Sequence, residues 1–426
     1  MSDTNRLSAT EAVTQLHSGS LTAEQLTRDC LDRIVERASV KAWIHLDPEH
    51  ALAQARAADK AGRPGVLAGL PIGVKDVIDT YDMPTRHGSP IYEGNRPFAD
   101  AACVAQVRMA GGTILGKTVT TEFANRFPGA TVNPHNPAHT PGGSSQGSAA
   151  GVADFQVPLG FGTQTGGSTI RPAAFCGVVG YKPSFGEFSR VGIKLQCQNL
   201  DTLGVICRSL DDIPLLRAAL IEMPHRKIDR NTSAPRIAVC RTPLWDVADD
   251  ATHALIERTA GKLSAAGAQV GEVEFAALFR DIARHHQRIF YYEAAHNYAY
   301  EHLEHRDQVS QVLLDTVLDP GAAISLADYI EALETGEAFR AHLDDIFRDI
   351  DLLLTPSAPG EAPEGLGSTG NSAFNATWTL SWAPCVTLPA GTGPKGLPLG
   401  VQLVGQRFAD ERTLDAAAWV EARLGG

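Results

Sequence analysis

The chain has 426 residues, 43% of them hydrophobic and 20% charged, with a formal net charge of -12 at pH 7. That apolar share is far above what a disordered chain carries, and the acidic balance, with no Lys/Arg run to offset it, excludes a nucleic-acid or anionic-lipid surface. No stretch approaches the roughly 18 consecutive apolar residues of a membrane span, and the opening residues lack a basic-then-apolar leader pattern, so a soluble, cytoplasmic chain is expected.

The first sixty residues read as helical. Ser8-Ala9-Thr10-Glu11 and Thr22-Ala23-Glu24-Gln25 both fit a capping box, and behind the second Leu26, Cys30, Leu31 and Ile34 recur at helical spacing. An alanine-rich helix is predicted over 49–61, with Gly62 as its stop. Residues 70–79 read as a short buried strand carrying one lysine, Lys75. A helix follows over 101–110, ended by Gly111-Gly112, then a strand over 113–116. A glycine-rich, nearly uncharged stretch comes next: of 40 glycines in the chain, ten fall between Gly142 and Gly180.

Beyond it, 208–222 and 249–267 read as helices, and 236–240 and 269–273 as strands. This βαβ pattern implies parallel pairing. Residues 275–350 read as mostly helical. Strands over 352–354, 386–388 and 401–404 precede a final helix from about residue 410. Strands and helices alternate throughout, which indicates α/β architecture. The seven cysteines are odd in number, widely spread and without a C-x-x-C pair, against a disulfide framework or structural zinc.

Several motifs need their structural context. Residues 111–118, G-G-T-I-L-G-K-T, match the P-loop pattern, yet a helix precedes the glycines and the motif itself reads as strand, the reverse of what a phosphate loop requires. Residues 160–166 nearly fit a dinucleotide fingerprint but miss its last glycine by one position. His285, His286, His296, His302 and His305, with Glu293, Glu301 and Glu304, fit no zinc pattern and read as polar helix surface. No G-x-S-x-G occurs, so a nucleophile elbow is not supported.

Three segments remain: Lys75 in its apolar strand, Pro141-Gly142-Gly143-Ser144-Ser145-Gln146-Gly147-Ser148, and Gly162-Thr163-Gln164-Thr165-Gly166-Gly167-Ser168-Thr169-Ile170-Arg171-Pro172. Together with Gly69-Leu70-Pro71-Ile72-Gly73-Val74-Lys75-Asp76, Phe175-Cys176-Gly177-Val178-Val179-Gly180-Tyr181-Lys182-Pro183 and the 396–403 segment, they closely resemble the amidase signature family of serine hydrolases. The resemblance covers nearly the whole chain. It implies one large α/β domain, 1–426, with a mixed, mostly parallel central sheet covered by helices. Within it, 1–62 would form N-terminal helices, 63–210 the catalytic core, 211–350 a variable helical and βαβ region, and 351–426 C-terminal strands and a helix.

By that resemblance, Lys75, Ser144 and Ser168 form a Ser-cisSer-Lys triad, Ser168 being the nucleophile. The family spacing of 24 residues between the serines is met, since 168 minus 144 is 24. A serine attacks an amide only when a base takes its proton. From an ordinary lysine value near 10.4, neutrality at pH 7 costs about 4.6 kcal/mol, and burial among Ile72, Val74, Val77 and Ile78 would lower that cost. Ser144 would relay the proton, and the backbone N–H groups of Thr165, Gly166, Gly167 and Ser168 would form the oxyanion hole. Cys176 has no positioned base in the sequence and reads as a packing residue. No metal or cofactor is required, and the resemblance implies a small-molecule amide substrate and a homodimeric assembly.

Two departures from the family pattern stand out. Gln164 replaces the usual aspartate, and Arg171 lies three residues after the nucleophile. The malonamidase branch resembles this variant, and there the arginine binds the substrate carboxylate. That implies hydrolysis of a small carboxylate-bearing monoamide such as malonamate, with release of ammonia or an amine. The alternatives are a broad aliphatic or aryl amidase, in which Arg171 is structural and paired with an acid, and a glutaminase-type subunit of a tRNA-dependent amidotransferase. In the region 275–350, Tyr291, Tyr292 and His296 are the candidates for lining the pocket.

Overall fold

The structure, a computed structural model, describes residues 3–424. Its N-terminal helices start where hydrogen-bonding side chains meet otherwise orphaned backbone donors. Ser8 accepts from the Glu11 amide while the Glu11 carboxylate accepts from the Ser8 amide, opening α1 (Ala9–Ser18), which Gly19 ends in a left-handed conformation. Thr22 accepts from the Gln25 amide at the head of α2 (Ala23–Glu36). A short strand, β1 (Trp43–Leu46), precedes α3 (Pro48–Lys60). That helix begins a residue earlier than expected, because Asp47 caps it and Pro48 suits its first turn.

The expected strand over 70–79 is shorter. β2 is Pro71–Lys75, and the chain then turns as the Lys75 carbonyl accepts from Val77 and Ile78. There follow α4 (Ala102–Met109), β3 (Thr113–Thr118), α5 (Gln146–Ala153), β4 (Leu159–Gln164), α6 (Ile170–Cys176), β5 (Val179–Lys182) and β6 (Thr202–Cys207). Next come α7 (Asp212–Leu220), β7 (Arg236–Cys240), α8 (Asp250–Ala265), β8 (Gln269–Val273), α9 (Ile282–Asn297) and a long helix, Leu326–Ile346. The chain closes with β9 (Leu352–Pro356), β10 (Cys385–Thr392), β11 (Pro398–Val404) and the helix Asp410–Leu424. Among the described residues no helix is long and apolar enough to cross a membrane.

All eleven strands form one sheet in the order β1-β3-β2-β4-β6-β5-β10-β11-β9-β7-β8. The sheet is mixed, as expected, but parallel pairs are the minority. Among the described residues, β2–β3, β2–β4, β7–β8 and β7–β9 are parallel, and the other six pairings are antiparallel. Five of the six antiparallel pairs run through the middle, from β4 to β9, where β10 and β11 are joined by a tight turn rather than a crossover helix; the sixth joins β1 to β3 at the edge. Alternation along β9 divides the core. Leu352 and Leu354 join the large cluster that holds Leu26, Ile72 and Phe161, whereas Leu353 joins Phe279, Phe339 and Trp378 under α9 and Leu326–Ile346.

The P-loop-like motif is a helix stop followed by β3. Its Lys117 is fully buried, with Nζ 3.2 Å from the Asp76 carboxylate. Residues 160–166 are β4 and the loop after it. The histidine- and glutamate-rich helices correct the expectation of polar surface, because His286, Glu293, Glu301 and His302 are buried. Each has its own partner: Thr165 for His286, the Gln198 and Asn199 amides for Glu293, Lys194 for Glu301 and Asp319 for His302. Among the described residues no group of three His, Cys, Asp or Glu side chains is placed to hold a metal.

Candidate active site

The parallel pairing of β2 with β4 brings their carboxyl ends side by side. Lys75 is the last residue of β2, completely buried, and its Nζ donates to Ser144 Oγ and to Thr163 Oγ1, each at 2.7 Å. Burial lowers the Lys75 ammonium from its ordinary value to about 7, opposed by the Asp201 carboxylate. Thr163, on β4, is a partner that sequence reasoning missed.

Ser144 follows a cis Gly143–Ser144 peptide and lies two residues before α5. Gly142 adopts φ +85°, and a Cβ there would meet the Pro172 backbone at 2.7 Å, so only glycine lets this loop lie against α6. Ser168, on the loop between β4 and α6, is 9% exposed and opens on a cavity of about 540 Å³. Its carbonyl accepts from the Ser145 amide at 3.3 Å, which ties the two serine segments together. Among the described residues, the hydroxyls of Ser144 and Ser168 form no hydrogen bond with each other.

The loop 165–168 has a consistent polarity. Its carbonyls accept from His286 Nε2 at 2.8 Å (Thr165), from Thr379 Oγ1 at 2.9 Å (Gly166), from the Arg171 amide at 2.9 Å (Gly167) and from Ser145 (Ser168). The amides of Gly166, Gly167 and Ser168 have no backbone acceptor among the described residues, and all three residues line the cavity. With the carbonyls anchored in the protein, these amides are left as donors without a backbone acceptor next to Ser168. Burial holds His286 down at about 4, so it is neutral when it donates to the Thr165 carbonyl. Thr165 also donates to Asp201 at 2.5 Å and accepts from Gln196 at 2.9 Å.

Gln164 accounts for its departure from the family pattern. Its Oε1 accepts from the amides of Thr169 and Ile170 at 3.0 and 3.1 Å, satisfying the first donors of α6, while its Nε2 donates to Thr379 at 3.1 Å. An aspartate in that place would be acceptor only; the amide does both.

Arg171 is 5% exposed and lines the cavity. Its guanidinium donates to the Gly143 carbonyl at 2.7 Å and the Thr369 hydroxyl at 3.0 Å, both neutral. The acid partner that a structural role predicts is absent among the described residues. Burial first, and the like charge of Arg126 second, lower Arg171 to about 9, which leaves it charged at neutral pH.

Cys176 is buried, donates to the Pro141 carbonyl at 3.4 Å, and has its thiol pushed up by burial, which suits packing rather than nucleophilic attack. All seven cysteines are buried and free. Of the expected lining residues, Tyr291 borders a recess beside the cavity, together with His286 and Phe290. Tyr292 and His296 are corrected: Tyr292 stacks on Tyr329 at 4.1 Å, and His296 bonds to the Tyr292 carbonyl, outside both hollows. The lining that sequence reasoning missed is Asn125, Arg126, Gln196 and the loop 367–372.

The Amidase family model matches residues 25–414. The chain is 32% identical to a glutamyl-tRNA(Gln) amidotransferase subunit from Chloroflexus aggregans, over 97% of this chain and 95% of that one. It is 33% identical to the corresponding protein of Acidothermus cellulolyticus, over 99% and 95%. Among solved structures, it resembles an amidase at TM-score 0.89 and 30% identity, covering 98% of this chain and all (100%) of that one. It also resembles the native peptide amidase of Stenotrophomonas maltophilia at TM-score 0.82 and 28% identity, covering 98% and 97%. The chain belongs to the amidase family and is a hydrolase of carbon–nitrogen bonds in amides.

Proposed function

We propose that this chain, acting as one catalytic domain over residues 1–426, hydrolyses a small linear monoamide that carries a carboxylate, malonamate being the simplest example. Ser168 Oγ attacks the amide carbon. Its proton passes through Ser144 to neutral Lys75, and the oxyanion is received by the amides of the loop 165–168. Collapse of the tetrahedral intermediate breaks the C–N bond as Lys75 returns the proton to the leaving nitrogen. Water, activated in the same way, then hydrolyses the ester on Ser168. The buried Lys75, lowered to about 7 and 2.7 Å from Ser144, supports this proton path.

The observation that carries the carboxylate is Arg171. A buried guanidinium with only neutral partners, in a cavity whose lining holds no aspartate or glutamate, is an anion site awaiting its counter-charge. A panel of small amides with and without a carboxylate, assayed for ammonia, tests this. Wild type is expected to favour the carboxylated members at least tenfold, and Arg171→Met to erase the preference. Equal use of both classes by wild type overturns the carboxylate reading, and full activity in Ser168→Ala overturns the nucleophile.

A second reading is favoured by the relatives named as amidotransferase subunits: the chain would supply ammonia from a carboxamide inside a complex. Release of free ammonia by the isolated chain separates the two, since a protein that works only in a complex releases little alone.

A further inference from the structure

The cavity beside Ser168 holds a second cation that the proton path does not use. Arg126 lies in the segment between β3 and α5, exposed at the rim, where its guanidinium donates to the Tyr291 hydroxyl at 2.7 Å. It forms no ion pair among the described residues. It borders both the main cavity and the adjoining recess of about 250 Å³, which also share Gly166, Phe290, Asn371 and Ser372. Neither hollow is lined by a single aspartate or glutamate, although the chain as a whole carries 49 acidic residues against 37 Lys and Arg. Next to it Asn125, 8% exposed and lining the same cavity, leaves both atoms of its side-chain amide without a partner. A buried amide with no partner is costly, and since both atoms are closed off from solvent, a turn of the Asn125 side chain is what brings them to a ligand beside Arg126.

The two arginines differ in depth. Arg171 is buried against Gly143 and Thr369, whereas Arg126 faces solvent at the mouth. In the reaction proposed above, on which this inference rests, the acyl group stays on Ser168 and the amine departs toward solvent. The deep cation therefore faces the acyl portion and the rim cation the leaving group. A singly charged substrate neutralises only one of them.

We propose that Arg126, with Asn125, forms a second anion subsite, and that the substrate is an amide whose leaving amine bears an acidic group, such as an N-carboxymethyl amide. Hydrolysis then adds one water across the C–N bond, the acyl carbon gaining the hydroxyl and the nitrogen the proton, and releases an amino acid in place of ammonia.

The test measures binding in a Ser168→Ala background, with two probes that share one uncharged acyl group: its N-carboxymethyl amide and its N-propyl amide. Titration calorimetry at low salt is expected to give a Kd at least tenfold lower for the N-carboxymethyl amide, with the difference shrinking as salt is added. Arg126→Met is expected to bring the ratio to about one, and Arg126→Lys, which keeps the charge but not the fork, to an intermediate value. No tighter binding of the N-carboxymethyl amide, or an equal preference in Arg126→Met, overturns the proposal. Because the acyl group is uncharged, failure of the Arg171 reading shows only in the carboxylate panel and leaves this ratio intact.

Discussion

In the proposed mechanism, the protonation of Lys75 sets an acid limb on activity that follows from its burial. With the ammonium lowered to about 7 by desolvation, the neutral base makes up about half of the enzyme at pH 7, about one part in 11 at pH 6 and about one in 100 at pH 5. An ordinary lysine would be neutral in only about one molecule in 2,500 at pH 7. The sign is fixed: a lysine whose value falls on folding is active above that value, so kcat/KM rises about tenfold per pH unit below 7 and levels off above 8. His286, held at about 4, stays neutral over this range and adds nothing. Asp201, raised by burial to about 6, titrates inside it, and its charge is what opposes the lowering of Lys75. Asp201→Asn removes that charge while keeping an acceptor for the Gln196 and Cys197 amides, so the limb moves to lower pH. The assay is initial-rate ammonia or amine release from pH 5 to 9 at constant ionic strength. A profile flat between pH 6 and 8, a limb near 10, or a limb that moves upward in Asp201→Asn would refute the reasoning. Lys75→Arg, which cannot deprotonate, is expected to lose at least about 100-fold in kcat.

Three further outcomes are expected. In Gly167→Ala the new Cβ falls 2.3 Å from Asn375 Oδ1, and Asn375 is held by the Ser357 carbonyl at 3.0 Å, so the loop 165–168, proposed to receive the oxyanion, must shift; kcat should fall more than tenfold while the urea midpoint moves little. Gln164→Ala leaves the first amides of α6 without their acceptor and should cost about 1–3 kcal/mol in denaturant unfolding. Lys117→Met strands the buried Asp76 carboxylate and should cost about 3–5 kcal/mol, which Lys117→Met with Asp76→Leu should partly restore.

Where side-chain chemistry acts locally, the fold was legible in the residues. The Ser8 and Thr22 caps and the βαβ unit over 236–273 follow from neighbours a few positions apart, as does the start of the strand that carries Lys75, though not its end. β4 was hidden by its own glycines. Gly160 and Gly162 dilute the apolar pattern because Cβ atoms there would meet Ser148 at 3.2 Å and Ser145 at 2.9 Å, so they make room for α5 rather than turn the chain. The motif spacing located Lys75, Ser144 and Ser168 in sequence. The groups that orient them were invisible because they come from afar: His286 reaches Thr165 across 121 residues and Thr379 reaches Gly166 across 213. No periodicity records such pairings, and the contrast between Tyr291, which borders the recess, and its neighbour Tyr292, which does not, is set by helix rotation alone.

The strand order also governs the sequence of assembly during synthesis. β1 to β6 form a contiguous six-stranded block that includes Lys75 and flanks both serines, whereas β7 and β8 connect to that block only through β9, β11 and β10. The strands made last therefore lie at the centre of the finished sheet. Until Cys385–Thr392 leaves the ribosome, the β5 edge, Val179–Lys182, has no neighbour on that side. A nascent chain thus presents an unpaired edge from the middle of its future core for the time needed to make some 200 further residues, at about 5–20 residues per second.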